Sequence, residues 1–120
     1  MNNDIIFKNP DQIINMGGPW VGELAINDTK ISKNIIVDNY LEDNEFYYFI
    51  KYFKISKKQK ENYFLVLRIN KNNMDYQISK EKFEKIYLTK IENDTLYYCE
   101  GFHEQLPVNN IHVEFESLDK

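Results

Sequence analysis

Cys99, His103 and His112 are the side chains in this chain best suited to metal or nucleophilic chemistry. A structural zinc site takes four ligands in paired short spacings. Here Cys99 and His103 are four apart, His112 lies nine further on, and the fourth ligand would have to be Glu100, Glu104 or Glu114. The spacing fits better a small buried Cys99, a loop His103 following Gly101 and a solvent-facing His112, so neither a metal nor a cofactor is expected. A cysteine nucleophile needs a base within hydrogen-bond reach, and neither histidine stands in a nucleophile motif. There is no Gly-x-Ser-x-Gly elbow and no HExxH. Paired carboxylates can do acid/base work, but Glu114 and Glu116 alternate with apolar residues in the manner of a solvated strand face. The chain is therefore expected not to be an enzyme.

The stretch NMGGPWVGEL (15–24) holds two adjacent glycines, a proline and the chain's one tryptophan. A phosphate-binding glycine loop supplies several backbone N–H groups and then opens a helix aimed at the anion. Pro19 has no N–H to offer, no Gly-Lys-Ser/Thr follows, and the next residues alternate as a strand. Gly18-Pro19 reads as a turn that redirects the chain. Gly22, inside the strand, predicts a bulge or the close approach of another backbone or ring. Trp20 beside this turn is a candidate exposed anchor for a protein partner.

The elements that must position these residues read as strands. At 120 residues the chain fits one domain with one core, 1–120. Nine Tyr, eight Phe and fifteen Ile favour pleated surfaces. Period two dominates: Trp20, Gly22, Leu24 and Ile26 share a face opposite Val21, Glu23 and Ala25, which predicts a half-buried strand. In 35–41, Ile35, Val37 and Leu41 point inward and Asp38 outward, with Glu42 beyond. Residues 46–55 carry aromatics on both faces and predict a strand covered on both sides. Runs at 63–70, 76–79, 86–91 and 95–100 follow. Ile111, Val113 and Phe115 alternating with His112, Glu114 and Glu116 form the cleanest amphipathic strand. INDTK (26–30) and ENDTL (92–96) share an Asn-Asp-Thr corner, and NKNNMD (70–75) is a looser one. SKEKFEK (79–85), with Ser79 as N-cap, is the one helix candidate, of one or two turns. The expected fold is mainly β: one antiparallel domain of seven to nine strands, as a twisted sheet, sandwich or half-barrel, with at most one short helix.

Charge is distributed unevenly. Residues 51–71 hold seven basic side chains and one acid, whereas 92–119 hold seven acids and no Lys or Arg. The basic segment interleaves Lys with Tyr and Phe as single-strand-binding sheets do, yet the whole chain carries a net charge of −4 and a single arginine, against the positive balance of nucleic-acid binders. The alternative to a binding protein is a small-ligand or enzymatic β domain whose cavity is lined by the aromatic runs 46–55 and 63–70. An acidic platform fits recognition of a basic protein, with carboxylates steering the encounter and an aromatic anchoring it. The candidate partner-binding residues are Trp20, Glu92, Asp94, Glu100, Glu104, Glu114 and Glu116.

In length, acidity, Tyr/Phe/Asn/Ile richness, lack of catalytic motifs and the stretch GGPWVGEL, the chain resembles the small immunity proteins of bacterial polymorphic-toxin and contact-dependent growth inhibition systems. That resemblance implies a protein that binds the toxin domain made by its own cell, commonly a basic nuclease, and occludes its active or substrate-binding surface. A lone cysteine and the absence of a leader-like or membrane-spanning apolar run predict a cytoplasmic protein with no membrane partner.

Overall fold

The computed structural model describes residues 4–12, 20–37, 39–54, 62–93, 95–101, 104 and 106–117. Among them are eleven strands: β1 (Ile5–Gln12), β2 (Trp20–Ile26), β3 (Thr29–Ile36), β4 (Leu41–Glu42), β5 (Phe46–Lys54), β6 (Asn62–Asn70), β7 (Tyr76–Ser79), β8 (Tyr87–Glu92), β9 (Thr95–Cys99), β10 (Asn109–His112) and β11 (Phe115–Ser117). They make two antiparallel sheets. The larger runs β1-β2-β3-β5-β6-β7-β11, with β4 also on β5; the smaller runs β10-β9-β8. The described residues include no helix, and none therefore long and apolar enough to cross a membrane.

The corners follow from local chemistry. Asn27 and Asp28 both take positive φ, 52° and 67°, and Ile26 pairs with Thr29. This is the two-residue turn whose twist matches that of its strands, and Asn and Asp tolerate it. Asn93 repeats the left-handed conformation at 52° between β8 and β9; its neighbour Asp94 lies outside the described residues. In the 70–75 corner the Asn70 carboxamide oxygen accepts from the Asn72 N–H at 2.8 Å, and that of Asn73 from the Asp75 N–H at 2.9 Å.

Gly22 meets both expectations placed on it. A β-carbon there would lie 3.0 Å from the Lys8 carbonyl oxygen and 3.1 Å from Val37 Cγ1. Opposite it, β3 bulges between Ser32 and Ile35, with Asn34 at a φ of 61°. The GGP turn before Trp20 lies outside the described residues. The strand after it is buried on both faces, not one, because Val21 and Ala25 are as enclosed as Leu24 and Ile26.

Four expectations are corrected. Strands number eleven because β1 gave little periodic signal and two predicted runs divide. Pro10 and the positive-φ Asn9 disguise β1, and both are tolerated because β1 is a sheet edge. The run 35–41 breaks between β3 and β4, and both Ile35 and Ile36 are buried, on opposite faces. The alternating run 111–116 keeps its burial pattern, but β10 joins the small sheet and β11 the large one. Finally, 79–85 is not helical. The Ser79 hydroxyl accepts from the Val66 N–H at 3.0 Å instead of capping a helix, and Phe83 exchanges backbone hydrogen bonds of 2.9 and 2.7 Å with Phe64.

Two cores result. One lies between the sheets, built from Tyr48, Ile50, Phe64 and Val66 of β5–β6 against Phe83, Ile86, Leu88 and Leu96. The other occupies the opposite face of the large sheet and holds Leu24, Ile35, Tyr47, Phe49, Leu67 and Ile69. The large sheet coils far enough to cover that face itself: Phe7 of β1 meets the Phe49 ring edge-on at 6.2 Å, although β2 and β3 separate their strands. The 46–55 run is thus covered on both sides as far as the described Lys54, and Tyr47 to Ile50 are four consecutive buried residues. Asn39 couples the small sheet to the large one. Its carboxamide accepts from the Leu88 N–H at 2.7 Å and donates to the Leu88 carbonyl at 3.1 Å, as a neighbouring strand would.

Candidate functional site

The acidic third of the chain covers the small sheet and the β10–β11 crossing. Glu92 closes β8, Glu100 follows β9, Glu104 lies in the β9–β10 connection, Glu114 stands between β10 and β11, and Glu116 is on β11; all five are exposed. Asp94 lies outside the described residues. Register separates them into two groups. His112 pairs with Thr95 and Asn109 with Tyr98, so Glu92 and Glu114 belong to one end of β9 and Glu100 to the other, about 13 Å away at the usual strand rise. Glu92 pairs with Lys90 at 3.3 Å and Glu114 with Lys80 at 3.9 Å. Glu100, Glu104 and Glu116 form no ion pair among the described residues.

Glu100 borders a cleft of about 420 Å³ lined also by Glu81, Lys82, Phe83, Tyr98 and Ile111. Tyr98 packs edge-on against Phe83 at 5.2 Å. Burial pushes its hydroxyl pKa up, and the carboxylates of Glu100 and Glu81 push it further. The sequence does not point to Phe83 and Tyr98 as lining residues: the 79–85 spacing predicts a helix for Phe83, and Tyr98 reads as one position of an alternating strand.

Trp20 is 45% exposed at the start of β2. Its carbonyl accepts from the Val37 N–H at 3.0 Å, and its neighbour Val21 is buried in the core between the two sheets. Cys99 is fully buried, its Sγ 3.7 Å from the Thr89 hydroxyl. His112 is exposed near the other end of β9, and His103 lies outside the described residues. No group of three metal-ligating side chains occurs among the described residues.

The basic segment is largely engaged where it is described. Lys51 donates to the Ser32 hydroxyl at 2.5 Å and to the Lys33 carbonyl at 2.9 Å; burial, and then the charge of Lys33, lower its pKa. Lys71 pairs with Glu42 at 2.6 Å, which raises its own. Arg68 lies against two rings. Residues 55–61, with Lys57, Lys58 and Lys60, lie outside the described residues. The aromatic pair β5–β6 fills cores where a ligand cavity was the alternative expectation: Tyr48, Phe49 and Phe64 are each at most 2% exposed.

No family model, curated protein or solved structure matches the chain.

Proposed function

We propose that this chain is a non-enzymatic binding protein that captures a basic protein partner through its C-terminal carboxylates, acting as an immunity protein that neutralises a toxin domain of its own cell. One observation carries the reading: Glu100, Glu104 and Glu116 are exposed without a cationic partner among the described residues, while Lys51, Arg68 and Lys71 of the basic segment are engaged by groups of the fold itself. Carboxylates in that state present an attractive field to an approaching basic surface. Trp20, half exposed, supplies a separate aromatic contact.

The test is capture of the product of the adjacent open reading frame: a secreted protein with a toxic C-terminal domain that binds this chain supports the reading, and a neighbour of another kind or one that does not bind overturns it. Reversal of Glu100, Glu104, Glu114 and Glu116 to Lys should slow association by about tenfold or more with the melting temperature little changed, and added salt should reproduce the loss. Trp20→Ala should speed dissociation and lower stability by about 1 to 2 kcal/mol, as for a half-covered ring, short of the about 3 to 5 kcal/mol of a core aromatic. Unchanged association after the four reversals, with loss on reversing Lys57, Lys58 and Lys60, would transfer the interface to the basic segment and make an acidic partner or nucleic acid the better reading.

A further inference from the structure

Arg68 is the chain's single arginine. On β6 it faces Tyr48 of β5 on one side and Gln77 of β7 on the other. Two rings lie against its guanidinium: Phe46, diagonal to it on β5, with the carbon 4.4 Å from the ring centre, and Phe115, reaching over from β11 beyond β7, at 4.1 Å. Gln77 Oε1 accepts from Nε at 3.1 Å and also from Nη2, which fixes the rotation of the plane. A guanidinium has five N–H donors in a rigid fork. The remaining donors meet no carboxylate among the described residues, and Arg68 lines a cleft of about 370 Å³ at the place where the two sheets diverge.

The rest of that cleft fits the same purpose. Lys80 and His112 add two further donors, Val113 and Phe115 supply apolar wall, and Glu114 draws on Lys80 from 3.9 Å. A planar fork in contact with two rings, oriented by a neutral amide and with no carboxylate partner among the described residues, is suited to bidentate contact with a carboxylate or phosphate. The cleft is shallow and broadly open to solvent, so it would take the anionic group of a ligand and not enclose the whole molecule. We propose that this cleft binds the carboxylate or phosphate group of a small ligand, with Arg68 as the fork and Lys80 and His112 as flanking donors. This reading does not rest on the capture of a basic protein, although Glu114, one of the capture carboxylates, lines the cleft as well.

The test uses the isolated protein, titrated with sodium phosphate and separately with sodium acetate at constant ionic strength. The Arg68 Nε–H resonance and the His112 and Val113 amides report binding. Saturable shifts with a midpoint of about 5 mM or tighter for either anion support the site, and the anion preferred assigns the group. Arg68→Lys, which keeps the charge but loses the fork, should weaken binding at least about tenfold. Since that change also loosens the ring contacts, Lys80→Gln combined with His112→Gln provides a second variant at exposed positions, with a several-fold weakening expected. Linear, unsaturated shifts for both anions, or affinities unchanged in both variants, would overturn the proposal.

Discussion

Hairpins β5–β6 and β8–β9 are both antiparallel, yet they do different work. The first runs in unbroken register from Phe46 with Asn70 to Lys54 with Asn62, and it buries both faces, Tyr48 and Phe64 on one side and Phe49 and Leu67 on the other. The second is interrupted by a bulge between Leu88 and Lys90 and turns Leu88 and Leu96 inward while Lys90 and Glu92 stay in water. A strand pair that serves two cores keeps little of either face for a site; Arg68, near the Phe46–Asn70 end of the pair, is the side chain of it that lines a cleft. The small sheet, needed only to cover one core, leaves its other face free for charge. The candidate functional groups accordingly surround the small sheet and the crossing from β10 to β11.

The sharpest way to break this contrast is to hollow the core beneath the coiled sheet. Phe49 is fully buried, stacked on Tyr40 at 5.0 Å and edge-on to Phe7. Phe49→Ala should therefore cost about 3 to 5 kcal/mol in denaturant unfolding. A loss near 1 kcal/mol would mean that this face is not a close-packed core.

A smaller effect should separate the two sheets. Asn39→Ala leaves the Leu88 N–H and carbonyl without their partner on the outer edge of β8, at a cost of about 1 to 3 kcal/mol. Amide exchange should then rise in β8–β10 by about tenfold more than in β5–β6. Equal acceleration in both hairpins would show that the small sheet has no separate attachment.

The smallest effect concerns pH at the corner before β5. Burial acts to raise the Asp43 pKa, but N–H groups of Glu45 and Phe46, each 2.8 Å from Oδ1, and the Tyr48 hydroxyl at 3.0 Å prevail and lower it. A carboxylate with a depressed folded pKa stabilises fully above its unfolded value, about 3.9, and the contribution disappears as pH falls through the folded value. Thermal melts should thus show wild type above Asp43→Asn at pH 6 and the gap narrowing as pH falls below the unfolded value. A gap that widened on acidification would reverse the assigned sign.

Local chemistry alone determined the corners, the alternation and the role of Gly22. Positive φ at Asn27, Asp28 and Asn93 is a property of residues whose short polar side chains tolerate it, and a glycine inside a strand signals a close approach, although only the pairing of β1 with β2 made the Lys8 carbonyl the group that approaches. The acidic and basic segments were equally legible, since charge is additive along a chain. Partner choice was not. Phe83 and Ile86 stand three apart, a spacing compatible with a helix, and only the presence of the Phe64 backbone across the gap drew Phe83 into a bridge. Residues 111–116 alternate as one strand, but hydrogen bonding to β9 at one end and β7 at the other assigned the two halves to different sheets. Arg68 was visible as the single arginine; its two rings come from strands 22 positions before it and 47 after it in number, so only tertiary structure could bring them together. Side-chain periodicity reports which face is buried, while the pairing energy that selects a neighbour is non-local and leaves no mark within the strand itself.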